Sequence, residues 1–121
     1  MNRHLVVKLT TGTAENLERA SQALTVCATA VASGVQVSLW LTGDAVWLAV
    51  PGKAEEVVLE GAASFADLRD AIVAMGLLTV CTQCAQRRSL EQSDLIEGVR
   101  IAGAPTFVEE ALADGAQALV Y

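Results

Sequence analysis

Aromatic and charged residues are both scarce in this chain, and each scarcity narrows its class. Two tryptophans, two phenylalanines and one tyrosine are all the aromatics in 121 residues. The core must therefore be aliphatic, built from Val, Leu and Ala. Only 18% of residues are charged against 53% apolar, and the mean hydropathy is +0.43. One domain spanning 1–121 is expected, long enough for a real core but with little room for a second. Apolar surface beyond what such a domain buries points to subunit contacts.

Positive charge is the scarcer sign. Eight Lys and Arg face fourteen Asp and Glu, for a net −6 and a pI near 4.6. A nucleic-acid binder needs a basic face to displace phosphate counterions, and this balance opposes it outside a small patch at Arg87-Arg88. Histidine occurs once, at His4, which leaves no Ser/His/Asp set to draw. Three cysteines, with Cys27 far from the other two, do not make the disulfide framework of a secreted protein; a reducing cytoplasm fits better. Zinc wants four ligands, and beyond Cys81 and Cys84 only Cys27 and His4 remain, on other elements, so no metal site is expected. Thr10-Thr11-Gly12 lacks the Gly-Lys-Ser/Thr of a P-loop, and no cofactor is expected. Met1-Asn2-Arg3-His4 runs straight into strand-like sequence, without the pattern of a signal peptide. No charge occurs between Arg19 and Asp44. Polar residues interrupt that stretch, however, and its pattern changes at Gly34 from helical to alternating. A buried helix followed by a buried strand is expected there, with no membrane span.

The remaining pattern alternates strands with helices. Leu5 to Leu9 is a first strand, and Thr13 is expected to cap a helix from about Ala14 to Ser33. Its apolar stripe is Leu17, Ala20, Leu24, Cys27, Ala28 and Val31, and Gly34 is its stop. Val35 to Leu41 is a second strand, followed by a turn at Thr42-Gly43-Asp44 and a short helix from Ala45 to Ala49, with Asp44 as its cap. Residues 52 to 63 fit a loop or a short strand. Ser64 and Asp67 resemble a capping box for a helix carrying Phe65, Leu68, Ile72 and Met75, closed by Gly76. Leu77 to Val80 is a third strand and Cys84 to Leu90 a short helix, with a further turn near Ser93. Val99 to Ala102, a helix from Pro105 to Asp114, and Ala116 to Tyr121 complete the order. This order predicts a three-layer α/β/α fold on a five-stranded, mainly parallel sheet, with the site beyond the carboxyl ends of the strands. Thr10 to Gly12, Trp40 to Asp44 and Cys81 to Cys84 converge there.

Chemistry centres on Cys81. A cysteine at the end of a strand that feeds a helix amino terminus has its thiolate stabilised by backbone N–H groups, so its pKa should fall below the free value of about 8.5. Such a thiolate attacks sulfane sulfur or a disulfide. The bland alternative is an inert cysteine packed among small residues. Cys84, three residues on, is either a resolving thiol able to form a disulfide with Cys81 or a helix-face residue turned into the core. A thioredoxin-type site fits less well, because this pair follows the third strand. Arg87 and Arg88 either face the thiolate or form a solvated helix face. Trp40 and Trp47 either wall the pocket or belong to the core. Gly12 lies where backbone N–H groups at a helix start would hold an anion. Cys27 sits on the apolar stripe as packing.

These residues resemble the DsrE/DsrF/DsrH-like family, which includes the TusD-type sulfur-relay subunits, over nearly the whole chain. The most specific match is Val80-Cys81-Thr82-Gln83-Cys84-Ala85-Gln86-Arg87-Arg88, similar to the family's strand-end Cys, small-residue turn and Arg-Arg. Trp40-Leu41-Thr42-Gly43-Asp44-Ala45-Val46 looks like the family's aromatic strand leading to Asp-Gly-Val, with Ala45 in place of Gly. Gly103 to Leu112 is similar to its small-residue turn and closing helix. Leu5 to Gly12 matches in style alone. Ser89 stands where Gly is common. The resemblance implies a Rossmann-like domain, a homotrimer or hexamer, and persulfide transfer between proteins, with Cys81 on the sulfur-accepting cysteine and Cys84 at a position that varies within the family. The expected function is a cytoplasmic sulfur carrier or sulfurtransferase that takes sulfur from a donor protein and passes it to an acceptor thiol. The rivals are an oligomeric binding module without catalysis and a Cys81/Cys84 redox sensor.

Overall fold

The computed structural model describes residues 3–121. Five strands form one parallel sheet in the order β4-β3-β2-β1-β5. They are β1 (His4–Leu9), β2 (Gln36–Leu41), β3 (Leu77–Cys81), β4 (Val99–Ala102) and β5 (Ala116–Val120). The four main helices are α1 (Leu17–Ala32), α2 (Phe65–Met75), α3 (Thr82–Arg87) and α4 (Ala104–Ala111). From β1 to β4 the chain steps one way across the sheet, and the last connection then returns past β3, β2 and β1 to place β5 on the far side of β1. Right-handed crossovers put that returning helix, α4, on the opposite face from α1 and α2.

The two faces differ in chemistry because strand side chains alternate. One face carries Val7, Leu9, Leu39, Leu41, Leu78 and Val80, fully buried against Ala20, Leu24 and Cys27 of α1 and Phe65 and Ile72 of α2. The other carries a polar row in register: Lys8 beside Trp40, Trp40 beside Thr79, Thr79 beside Arg100. Over this row lies α4. Its Glu110 accepts hydrogen bonds from Ser38, from Trp40 Nε1 at 3.0 Å and from Arg100, with which it also forms an ion pair. Phe107, one turn earlier on the same helix face, packs edge-on against Trp40 with ring centroids 5.4 Å apart.

Helix α1 begins later than its composition predicts. Asn16, not Thr13, is the cap; its side chain accepts from the Arg19 N–H at 3.0 Å. Ahead of the cap, Ala14 is drawn off by a tertiary contact, its N–H donating to the Asp44 carboxylate at 2.9 Å. Asp44 therefore caps nothing on its own element. The 3₁₀ helix after β2 runs Gly43–Ala49, opens two residues earlier than expected, and has Thr42 at its cap without a side-chain bond. Ser64 accepts from the Asp67 N–H at 3.3 Å, as the capping pattern predicts. Within residues 52–63 there is no strand. A 3₁₀ turn, Ala54–Glu56, is pinned by Arg69, whose guanidinium donates to both Glu55 oxygens and to the Leu48 carbonyl. Another 3₁₀ turn, Gln92–Asp94, precedes β4. Among the described residues no helix is long and apolar enough to cross a membrane. The uncharged stretch after Arg19 is α1 followed by β2.

Two helices end in the same motif at different cost. After α1 the Val35 N–H reaches the Ala30 carbonyl and the Gly34 N–H reaches Val31, with Gly34 at φ +82°. After α3 the Leu90 N–H reaches Ala85 and the Ser89 N–H reaches Gln86, with Ser89 at φ +54°. Both are Schellman closures. A side chain in this left-handed region costs about 1–2 kcal/mol, more than the roughly 0.5–1 kcal/mol of extra chain entropy that glycine loses. Ser89→Gly should therefore stabilise the protein by about 0.5–1 kcal/mol, read as a higher melting temperature; an unchanged or lower one would refute the strain at this position.

The Glu110 cluster generates a pH prediction. Burial raises the Glu110 pKa, but the hydrogen bonds from Ser38, Arg100 and Trp40 outweigh it and hold the carboxylate below its ordinary range. A depressed carboxylate stabilises the fold above its unfolded pKa of about 4.3 and loses that contribution as pH falls through the folded value. Glu110→Gln should cost about 1–3 kcal/mol at pH 7. The gap to wild type should close below about pH 4 in thermal melts followed by circular dichroism. A gap that stays constant with pH would contradict this.

Candidate thiol site at the carboxyl edge of the sheet

Strand β3 passes into α3 with no intervening loop. Cys81 is the last strand residue and also the cap of the helix, so its half-buried side chain stands at the carboxyl edge of the sheet. Leu78, Thr79 and Val80 are all buried, with the two aliphatic side chains on the core face, which commits the run to the strand; Thr82 to Arg87 is short and polar on its outer side, which lets the chain turn at once into a helix. Burial raises the Cys81 pKa. It is outweighed by the Cys84 amide and thiol and the Gln83 amide at the start of α3, and by the charge of Lys8, so the pKa lies below its ordinary value, although the Cys81 side chain makes no capping hydrogen bond.

Cys84 is buried, 7% exposed, one turn into α3. Its sulfur accepts a hydrogen bond from the Gly43 N–H at 3.1 Å, and its thiol points back to Cys81. Gly43 sits at φ +54°, a conformation that glycine adopts without a Cβ penalty. The turn after β2 is thus tied to the thiol turn after β3. Arg87 takes the solvated alternative of the two that the sequence offers, and Arg88 takes neither. Arg88 donates from Nη1 to the Cys84 carbonyl at 3.1 Å and closes the helix, and Arg87 lies exposed.

Gly12 does not start a helix. It is buried where the loop after β1 crosses the 3₁₀ helix, and a Cβ there would lie 2.7 Å from the Ala45 Cα. Its role is close backbone packing, and the helix expected to open just beyond it begins at Leu17. Trp40 is 1% exposed and belongs to the sheet face under α4. Trp47 and Asp44 instead line a separate cleft of about 500 Å³ with Thr13, Lys53 and Val57; Cys81 is not among its lining residues. Cys27 is fully buried on α1, and burial pushes its pKa up to about 12, which leaves an inert thiol. Among the described residues no His, Cys, Asp and Glu side chains gather as metal ligands.

The site thus contains Cys81, Cys84, the Gly43 amide and Lys8. Lys8 has no counterpart among the residues singled out from sequence. The signal was present in the strands, where Lys8, Ser38, Trp40, Thr79 and Arg100 alternate with aliphatic residues and mark one polar face. These environments set an order of reactivity. At pH 7 limiting iodoacetamide should label Cys81 first, Cys84 far more slowly and Cys27 only after unfolding, as read by peptide mass spectrometry. Labelling of Cys27 or Cys84 ahead of Cys81 would contradict the geometry.

The model of the DsrE/DsrF-like family matches residues 4–121. MJ0989, an uncharacterised protein of Methanocaldococcus jannaschii, is 34% identical over 85 residues, covering 70% of this chain and 72% of that one. The ychN protein of E. coli superposes with a TM-score of 0.80 at 19% identity, over the whole of both chains. MTH1491 of Methanobacterium thermoautotrophicum, a protein of unknown function, gives a TM-score of 0.75 at 10% identity over 99% of this chain and 100% of its own. These two structures share the parallel sheet and its flanking helices. With a family model covering all five strands and the thiol turn, the chain belongs to the DsrE/DsrF-like family.

Proposed function

We propose that this protein is a sulfur carrier of the sulfur-relay type, holding sulfane sulfur as a persulfide on Cys81. The observation that carries this reading is the half-buried Cys81 at the carboxyl end of β3, where it is also the cap of α3 and stands one turn from the buried Cys84. The thiolate of Cys81 attacks the terminal sulfur of a donor persulfide, R–S–SH. A Cys81–S bond forms, the donor's S–S bond breaks, and R–S⁻ leaves. An acceptor thiolate then attacks the terminal sulfur of Cys81–S–SH and regenerates the Cys81 thiolate. No external oxidant enters either step. A reducing compartment such as the cytoplasm keeps the cysteines available for it.

Self-association is part of this proposal. Val108 of α4, Leu112 at its carboxyl end, and Leu119 and Val120 of the edge strand β5 are exposed apolar residues, from 40% to 79% exposed. A second copy covering them, as in a trimer or hexamer, would remove that surface and the free edge of β5 from water. The bonding of Cys84 toward Cys81 also favours a second reading, a dithiol that closes to a disulfide.

Treatment with inorganic polysulfide followed by intact-mass spectrometry tests the carrier. The wild type and Cys84→Ser should each gain one sulfur on Cys81, Cys81→Ser should gain none there, and a thiol peptide should then remove it. A wild type that loses two hydrogens and carries no added sulfur would favour the disulfide reading. No change at Cys81 would leave the protein as a binding module.

A further inference from the structure

Lys8 is the one charged residue in register with Trp40 and Thr79 on the three central strands of the sheet. Its strand, β1, is flanked by β2 and β5, and its neighbours Val7 and Leu9 are fully buried on the opposite face. Register places Lys8 beside Trp40 and Trp40 beside Thr79, so these three side chains leave the same face. Cys81 is the next residue of β3 on that face. The two positions are about 10 Å apart across two strand spacings and about 7 Å apart along the strand, a gap that a lysine stem reaching toward the carboxyl edge largely closes.

The lysine head is held. Its Nζ lies 4.3 Å from the centroid of the Phe107 ring. Phe107 is fixed edge-on to Trp40, and α4 itself is fixed by Glu110. Among the described residues no carboxylate pairs with Lys8. The acid nearest in the layer, Glu110, is occupied by Ser38, Trp40 and Arg100. Arg100, the other cation on this face, donates to Thr79 Oγ1 at 2.7 Å and stacks over Trp40. The ammonium of Lys8 is therefore a positioned cation without an anionic partner among the described residues, and Cys81, two residues beyond Thr79 on the same sheet face, is a group that can become an anion.

We propose that Lys8, held over Phe107 by α4, is the cation that favours the ionised form of Cys81 and pairs with the negatively charged terminal sulfur of its persulfide, the role that the arginine pair after Cys84 would otherwise take. The first half concerns the thiol alone; the second rests on the persulfide reading above. Lys8 acts through space on the reacting atom and is a positioning residue. The ring matters because it holds the ammonium in place without neutralising it, which a carboxylate would do. The Lys8 charge is among the influences that lower the Cys81 pKa, and neither Arg87 nor Arg88 is.

The test is the pH dependence of Cys81 alkylation, resolved by peptide mass spectrometry, in full-length wild type, Lys8→Met, Lys8→Arg, Phe107→Leu and the Arg87→Ala/Arg88→Ala double variant. Lys8→Met should move the midpoint of the rate profile upward and slow alkylation at pH 7 several-fold. Lys8→Arg should restore most of the rate, and Phe107→Leu, which frees the ammonium without removing it, should lie between. The double arginine variant should follow wild type. A Lys8→Met profile identical to wild type, or an arginine variant that moves while the lysine variant does not, would overturn the proposal. If Lys8→Met does not fold, an unmoved profile in Phe107→Leu does the same. A shifted profile in a protein that takes no sulfur from polysulfide would leave the lysine's role at the thiol standing and remove the carrier reading.

Discussion

Three donors on the sheet, Ser38, Trp40 and Arg100, converge on the one carboxylate of Glu110. Everything on that side of the molecule depends on this convergence. Helix α4 has no buried residue of its own, so it lacks the apolar stripe that holds α1 and α2. Hydrogen bonds to a charged group are each worth about 1.5–3 kcal/mol, enough for a short helix to be held by a polar anchor and one aromatic contact. With α4 in place, Phe107 lies on Trp40 and Lys8 lies on Phe107. The electrostatic setting of Cys81 is thereby linked to a glutamate nearly thirty residues further along the chain.

The opposite face supplies rigidity. Its aliphatic layer fixes β3 up to Val80, and the absence of a loop between β3 and α3 passes that rigidity directly to Cys81. The turn after β2 adds a second tether through the Gly43 amide and the Cys84 sulfur. The loop after β1 is packed against the start of the 3₁₀ helix at Gly12 and Ala45. The loops after β1 and β2 and the direct β3–α3 junction are therefore all tethered at this edge, which suits a nucleophile whose position must not drift.

Much of this was legible in the residues. The parallel sheet follows from strands alternating with helices, and the end of β3 follows from an apolar run that stops at Cys81. Gly34 marked a helix end correctly because only the left-handed turn explains a glycine there. Ser89 hid the same turn behind a residue that disfavours it. The start of α1 was misplaced because Ala14 and Glu15 favour helix locally, while a carboxylate thirty residues away takes the Ala14 N–H. Lys8 and Glu110 escaped notice for a related reason. Each is ordinary in its own segment, and their meaning arises only when the return crossover lays α4 across the polar row. Arg87 and Arg88 drew attention by adjacency to Cys84, but helix geometry turns one to solvent and the other to a carbonyl.

Ionisation of Cys81 in the unmodified protein is the property on which both the carrier and its lysine depend. Titration of the Cys81 ¹³Cβ resonance, in protein labelled at cysteine, measures it with no reagent that could perturb the site. The account predicts a midpoint clearly below the free-cysteine value of about 8.5. A midpoint at or above that value would contradict it.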